Sequence, residues 1–210
     1  YSATRRGTGD VRTMSGGKGQ RRARPMDVSK FQGMTLQQIE DRIRNLSHEE
    51  LFVIDKDGTV LSAYKGNSNS VAFLHSELLR DGVTVTHGHP KGAEGYGATF
   101  STQDVLNMAA SNWAEHRAAA SGRNELNYII RRNSENTSQK SKELYDRIKN
   151  DEPVLKAEMK IEANKAGRTN LSVSRKRQIY TGVLDRYYSE VLPKYGFDYI
   201  TRKEGYNYNR

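Results

Sequence analysis

The hydrophobic pattern of this chain changes its period after residue 46, and that change restricts the fold class more than any other feature. Over residues 36–46, apolar side chains recur every three or four positions behind Thr35, which predicts a helix capped by that threonine. Residues 51–54 and 59–64 are instead short apolar runs on either side of Asp57-Gly58, as in two strands joined by a tight turn. A helix followed by a hairpin predicts an α+β fold.

The rest of the chain continues this alternation. Residues 83–86 are a short strand that leads into His87, and a helix begins at Ser101 after a glycine-rich loop. The sequence therefore predicts a small mixed sheet flanked by helices and followed by a helical C-terminal extension. The remaining predicted elements are a helix over residues 71–79, strands over 117–120 and 126–131, and helices over 139–149, 152–166 and 171–191.

Composition excludes several classes of site. The 210 residues include no cysteine, which rules out disulfides, cysteine-ligated metal clusters and thiol nucleophiles. Any bound metal must therefore be held by His, Asp or Glu side chains. The longest apolar runs are far shorter than the roughly 20 residues of a membrane span. We therefore expect a protein of a reducing compartment without a membrane partner.

Basic charge is concentrated at the start of the chain. The formal net charge is +9, and residues 1–30 contain eight Lys or Arg against two Asp. This segment is rich in Gly, Ser and Thr and has no hydrophobic period, so we expect a flexible arm. Either it is a solvated tail, or it binds nucleic acid or another anionic surface.

Two short motifs point to a metal site: His-Gly-His-Pro at residues 87–90 and Ser-Thr-Gln-Asp at residues 101–104. Residues two apart in a strand point to the same side, so His87 and His89 can aim both imidazoles at one point. Asp104, in the first turn of the following helix, is the third candidate ligand. Two imidazoles and a carboxylate, with a position open for water, are ligands of catalytic zinc. The alternative is that the histidines bind nothing and that Ser101 and Asp104 only cap the helix.

A hydrolytic zinc site also needs a carboxylate base. Glu49 and Glu50 stand immediately before the first strand, and only one of them can reach the site because neighbours in a strand face opposite ways. His48, beside them, either supports the site or lies on the surface. The other two histidines, His75 and His116, are expected to be solvated.

The order of a glutamate, His-x-His-Pro, a loop and Ser-x-x-Asp resembles the JAB/MPN (JAMM) family of metallohydrolases. The elements before residues 87–90 and the Phe-Ser-x-x-Asp-Val segment at 100–105 are similar to its RadC-like branch, and to domains of phage head-morphogenesis proteins and polymorphic toxins. The resemblance covers about residues 35–135 and implies the layering of helices on a sheet seen in cytidine deaminases. The chain then has three parts: a basic flexible arm (1–30), a JAB/MPN-like metal-binding domain (31–135) and a helical extension with a Tyr-rich basic tail (136–210).

The resemblance implies hydrolysis of an amide or isopeptide bond in a protein or peptide substrate, with Zn²⁺ as the metal. The base would move a proton from water to the leaving amine. The loop between Pro90 and Ser101 is longer than in compact members of the family, so it either contacts substrate or distorts the site. The implied roles are zinc ligation by His87, His89 and Asp104, base catalysis by Glu50 with Glu49 as the alternative, and oxyanion stabilisation by Ser101.

Two other functions remain open. One is a non-catalytic virion component that binds nucleic acid or neighbouring subunits through residues 1–30 and 195–210. The tyrosines that crowd the C-terminal segment among Lys and Arg either stack on single-stranded bases or pack within helices. The other is a metal-dependent nuclease toxin, in which the same activated water attacks phosphate. The expected location is the cytoplasm of a bacterial host, or the virion.

Overall fold

The structure is a computed structural model and describes residues 11–14, 22–90, 97–121, 126–167 and 170–203. Its strands are β1 (Val11–Met14), β2 (Glu50–Ile54), β3 (Val60–Lys65), β4 (Val71–Leu74), β5 (Thr84–His89), β6 (Glu115–Ala120), β7 (Leu126–Arg132) and β8 (Phe197–Lys203). Its α-helices are α1 (Leu36–Arg44), α2 (Thr102–Ala110), α3 (Ser138–Ala166) and α4 (Val173–Val191). Short 3-10 helices cover Val28–Phe31, His75–Leu79 and Leu192–Tyr195.

Six of the strands form one mixed sheet in the order β3-β2-β5-β6-β7-β8. β5 and β6 run parallel, and the other neighbouring pairs are antiparallel. The predicted α+β class is confirmed, and so is the hairpin of β2 and β3. Its turn contains Gly58 at a φ of 87°, a conformation that glycine adopts without steric cost.

Each face of the sheet buries its own core, because side chains alternate along the strands. On one face, Phe52 of β2 packs with Ile39 and Ile43 of α1. On the other face, Leu51 and Val53 of β2 join a core to which α2, α3 and α4 contribute. The sheet is therefore the middle of three layers, with α1 on one side and the remaining α-helices on the other.

The close approach of α1 to β5 occurs at Gly88. A Cβ atom at this position would lie 2.9 Å from the carbonyl oxygen of Ile43, closer than Cβ atoms ordinarily approach. Two residues earlier, the Thr86 hydroxyl donates a hydrogen bond to Glu40 of α1 over 3.1 Å. The even-numbered residues of β5 therefore face α1, and the two histidines of this strand face the opposite layer.

Part of the basic segment at the start of the chain is ordered, contrary to the expectation of a flexible arm. β1 pairs antiparallel with β4, and Met14 is fully buried. Further along, the Met26 amide donates to Ala63 O (2.8 Å) and the Lys65 amide donates to Arg24 O (2.9 Å), so this stretch runs beside β3. Pairing through backbone groups needs no hydrophobic period, which is why the sequence pattern did not indicate it. Residues 1–10 and 15–21 lie outside the described residues.

The helix predicted over residues 71–79 is wrong. The first four of these residues form β4, which is buried against β1, and the 3-10 helix His75–Leu79 follows. A short apolar run does not distinguish a buried strand from a buried stretch of helix, so the local pattern was ambiguous here.

The C-terminal part differs from the prediction in two respects. The helices predicted at 139–149 and 152–166 form one helix, α3, which passes through Pro153. Residues 197–203 form β8, which is hydrogen-bonded to β7, so the extension ends in a strand of the main sheet. The tail from residue 204 onward lies outside the described residues. Across the described ranges, no helix combines the length and the apolar character needed to cross a bilayer.

Candidate metal centre

Three side chains from two elements meet on the face of the sheet that α2 covers. His87 and His89 lie at the C-terminal end of β5, and Asp104 lies in the first turn of α2. The Nε2 atoms of the two histidines are 2.7 Å apart. Asp104 Oδ2 lies 3.7 Å from His87 Nε2 and 3.5 Å from His89 Nε2. All three side chains are buried, and together they form a group that could hold a metal ion.

Backbone carbonyls determine which nitrogen of each imidazole faces this group. His87 Nδ1 lies 3.1 Å from Arg117 O, and His89 Nδ1 lies 2.6 Å from Ala98 O. A carbonyl oxygen only accepts, so these contacts place the hydrogen on Nδ1 and leave the Nε2 lone pair facing the other ligands. The same arrangement is usual for metal-binding histidines. Two imidazole lone pairs and a carboxylate oxygen therefore converge, which is favourable only with a proton or a metal ion among them.

The beginning of α2 holds Asp104 in place. Ser101 Oγ accepts a hydrogen bond from the Asp104 amide (3.2 Å), and the Ser101 amide donates to Asp104 Oδ2 (2.7 Å). This is the capping box that the sequence predicted. The carboxylate oxygen that accepts this bond is the one that faces both histidines, so the cap orients the candidate ligand.

Burial and mutual contact determine the protonation of the group. Burial lowers the pKa of His87 below its ordinary value. Burial alone would also lower the pKa of His89, but the hydrogen bond to Asp104 and the charge of that carboxylate raise it instead. Burial would raise the pKa of Asp104, yet the two imidazoles hold it well below its usual range. The carboxylate is therefore ionised, and a metal ion would displace the proton associated with His89.

The spacing of the three atoms fits a small divalent metal ion. Tetrahedral zinc with bonds of about 2 Å puts its ligand atoms about 3.3 Å from one another. The three separations in this group, 2.7, 3.5 and 3.7 Å, bracket that value. Two nitrogen donors and one carboxylate oxygen suit first-row divalent metals. The residues present therefore fit such an ion.

The two candidate bases lie on opposite faces of the sheet. Glu50 faces α1: its carboxylate accepts two hydrogen bonds of 3.1 Å from Arg42 and lies 3.1 Å from His48 Nε2. Glu49 is buried and lines the same cavity as His89, whose pKa its charge helps to raise. The alternation along β2 turns Glu50 toward α1, the layer opposite the three candidate ligands, so of the two glutamates only Glu49 lines the cavity.

A cavity of about 280 Å³ opens beside His87, His89 and Asp104, the three candidate ligands that we call the metal group. Its lining includes Glu49, His89, Thr99, Ser101 and, from α4, Arg177. The cavity therefore brings together one candidate ligand, a carboxylate, two hydroxyls and a guanidinium.

Two residues of this region were missed by the sequence analysis. His116, expected to be solvated, is fully buried, with its Nε2 atom 3.2 Å from His87 Nδ1 and its ring packed against Phe100 and Trp113. Parallel pairing of β6 with β5 puts it beside the site, and a parallel neighbour is distant in sequence. Arg177 lies in a helix with several other basic residues, and no local pattern singles it out.

The C-terminal elements hold one wall of the cavity. The Thr99 amide donates to Thr181 Oγ1 (3.3 Å), and Thr99 Oγ1 lies 2.7 Å from the Tyr199 hydroxyl. The fully buried Tyr188 donates from its hydroxyl to Phe100 O (2.9 Å). These two tyrosines therefore pack within the fold, which was one of the two interpretations of the tyrosine-rich segment. Residues 136–210 supply part of the site.

In comparisons with protein-family models, curated proteins and solved structures, nothing matches this chain.

Proposed function

We propose that this chain is a zinc-dependent hydrolase of the JAB/MPN type that cleaves an amide or isopeptide bond. One observation carries the proposal: three acceptor atoms converge beside a cavity that also contains a carboxylate and a hydroxyl. Buried acceptors that face one another are unfavourable in a structural cluster and favourable around a cation. The order of Glu49, residues 87–90 and residues 101–104 along the chain resembles that family and supports the same function.

Zinc is the metal that this donor set favours. Two imidazoles and one carboxylate leave a fourth position open, as catalytic zinc sites do. His87, His89 and Asp104 would hold the ion, which would supply a Lewis acid that makes water nucleophilic near neutral pH.

Glu49 is the general base of the proposed reaction. Its carboxylate lines the cavity together with His89, whereas Glu50 forms an ion pair with Arg42. The carboxylate of Glu49 accepts a proton from the attacking water and passes it to the nitrogen of the leaving amine. The buried position of this carboxylate keeps bulk water from competing for that proton.

Ser101 stabilises the oxygen of the substrate carbonyl as negative charge develops on it. Ser101 lines the cavity, and in the cap of α2 its Oγ acts as a hydrogen-bond acceptor. Capping and oxyanion stabilisation by the same hydroxyl are therefore compatible.

The metal assignment is tested by elemental analysis of protein purified without chelators. We expect about one zinc per chain in the wild type and little in His87→Ala or Asp104→Asn, because each substitution removes one of three ligands. Circular dichroism establishes that the variants fold. Wild-type protein that contains no metal and takes up none would overturn the proposal.

The reaction is tested on peptide and isopeptide-linked substrates with Glu49→Gln and the matched variant Glu50→Gln. Glu49→Gln should keep its zinc and lose activity by about 10²- to 10⁴-fold, the usual contribution of a general base. Glu50→Gln should retain most of the activity, since that carboxylate contacts α1. Equal losses in both variants would reject the role of Glu49. Nucleic acid is included as a substrate, and its cleavage in place of peptide would favour a nuclease.

A further inference from the structure

We infer that Arg177 binds a carboxylate group of the substrate, so that the cavity receives the C-terminal residue of a peptide. This inference rests on the proposed function and narrows it: the bond that is cleaved is the last peptide bond of the substrate. The observation behind it is a guanidinium, supplied by α4, in the same cavity as the metal group and the proposed base.

A hydrogen bond holds Arg177 close to the end of β5, the strand that carries the two candidate histidine ligands. Its Nη1 atom donates a hydrogen bond to Pro90 O over 3.3 Å, and Pro90 directly follows His89. The side chain is half-buried and is carried by a helix that also fixes Thr99, a second lining residue, through Thr181. The guanidinium is therefore positioned beside the site by the fold.

The chemistry of the cavity favours an anionic group at this position. Among the described lining residues, Arg177 is the only Lys or Arg, and Glu49 is the only Asp or Glu. A guanidinium has five N–H donors in a planar fork that matches the two oxygens of a carboxylate. It can bind such a group while it also donates to a backbone carbonyl. Glu49 would repel a substrate carboxylate and the guanidinium of Arg177 would attract it, so that carboxylate is expected beside Arg177.

The size of the cavity favours a single residue over an extended chain. Its volume of about 280 Å³ is slightly smaller than that of most ligand pockets, which are roughly 300–1,000 Å³. Apart from His89, the remaining polar side chains among the described lining residues are small and neutral, and include Ser68 and Asn69. These side chains can accommodate polar backbone groups without selecting a second charge.

The reaction then releases one amino acid. The oxygen of water bonds to the carbonyl carbon of the penultimate residue, and the bond from that carbon to the amide nitrogen breaks. The proton accepted by Glu49 goes to that nitrogen, which becomes the amine of the released amino acid. Arg177 holds the carboxylate of the same amino acid throughout.

The first test compares peptides that differ only at the C-terminus, as a free carboxylate or as an amide. Wild-type holoenzyme should remove one residue from the free peptide and act at least about 10-fold more slowly on the amide. Arg177→Gln should raise KM for the free peptide by about 10- to 100-fold and leave the amide unchanged. Arg175→Gln, an equal charge change on the exposed side of the same helix, is the matched control and should behave like the wild type.

The second test measures binding without hydrolysis, by calorimetry with the Glu49→Gln protein. An acetylated alanine dipeptide with a free carboxylate should bind at least about 10-fold more tightly than its amide, and adding Arg177→Gln should remove the difference. If this difference is present but no peptide is cleaved, the carboxylate site stands and the proposed hydrolase fails. If peptides are cleaved but free and amidated forms are bound and cleaved alike, the hydrolase stands and the role of Arg177 is overturned.

Discussion

At the scale of the residue, the face of a strand decides the role of each side chain. Glu49 and Glu50 carry the same chemical group, but one lines the cavity and the other contacts α1. Gly88 separates two candidate ligands and faces the same helix as Glu50, and there a Cβ atom has no room. The position between the two candidate ligands therefore favours glycine because of close packing on the opposite face of the sheet.

Gly88→Ala should lower the free energy of unfolding by roughly 1–3 kcal/mol, the usual cost of overpacking a core. The added Cβ would lie 2.9 Å from Ile43 O, a backbone atom that cannot rotate away. Gly182→Ala in α4 is the matched control: the nearest atom to its Cβ is 4.0 Å away, and it should stabilise the helix by roughly 0.5–1 kcal/mol. Urea denaturation measures both changes. A Gly88→Ala protein as stable as the wild type would show that α1 does not lie this close to β5.

At the scale of the element, the first turn of α2 performs two tasks. Its capping box satisfies backbone donors that would otherwise lack partners, as any helix requires. The same box orients Asp104 toward the histidines, and its Ser101 lines the cavity. α3 begins with a comparable cap, in which Thr137 Oγ1 accepts from the Lys140 amide over 3.1 Å, but that cap is not part of the cavity lining.

Comparing substitutions at these two caps distinguishes a loss of stability from a loss of catalytic activity. Ser101→Ala and Thr137→Ala should each lower the free energy of unfolding by about 1 kcal/mol, the typical value of a helix cap. Only Ser101→Ala should also lower kcat, by about 10²- to 10³-fold, because it removes a donor to the oxyanion. Urea denaturation and peptide hydrolysis are measured on both proteins. If Thr137→Ala reduces kcat as strongly, the effect of Ser101→Ala reflects stability alone.

At the scale of the whole molecule, the C-terminal elements close the fold against the site. Tyr199 of β8 donates its hydroxyl hydrogen to Asp185 of α4 and accepts from the Thr99 hydroxyl. Burial raises the pKa of Asp185, although the hydrogen bond from Tyr199 acts in the opposite direction. A half-buried carboxylate thus links α4, β8 and, through Tyr199, the wall of the cavity.

This link predicts a pH dependence of stability. Since the pKa of Asp185 is higher in the folded than in the unfolded protein, its contribution is complete below about pH 4 and is lost as the pH rises through the folded value. Relative to the wild type, Asp185→Asn should therefore become more stable as the pH rises from about 4 to 7. The change should be about 1.4 kcal/mol for each unit by which the two pKa values differ. Urea denaturation across this range measures it, and a difference that is constant or of opposite sign would contradict the assignment.

Local pattern alone predicted the parts of this protein whose hydrogen bonds are made within a few residues. These are the capped helix α1, the hairpin of β2 and β3 around Asp57-Gly58, and the capping box of Ser101 and Asp104. The alternation of strand residues also predicted that His87 and His89 share one side of β5. All of these features depend on the conformation of one helical turn, one tight turn or one strand, so the order of neighbouring residues is sufficient to predict them.

Only the tertiary structure decided what depends on distant neighbours. β1 pairs with β4, about 60 residues later in the chain, and the stretch that contains Arg24 and Met26 pairs with β3, about 40 residues later. These contacts use backbone groups, which carry no sequence pattern. Strand alternation in the folded sheet turns Glu49 toward the cavity. Parallel pairing of β6 with β5 brings His116 against His87. The packing of α4 brings Arg177 to the cavity. These three side chains come together only when the sheet and the helices that cover it are packed against one another, so no single element predicts their position.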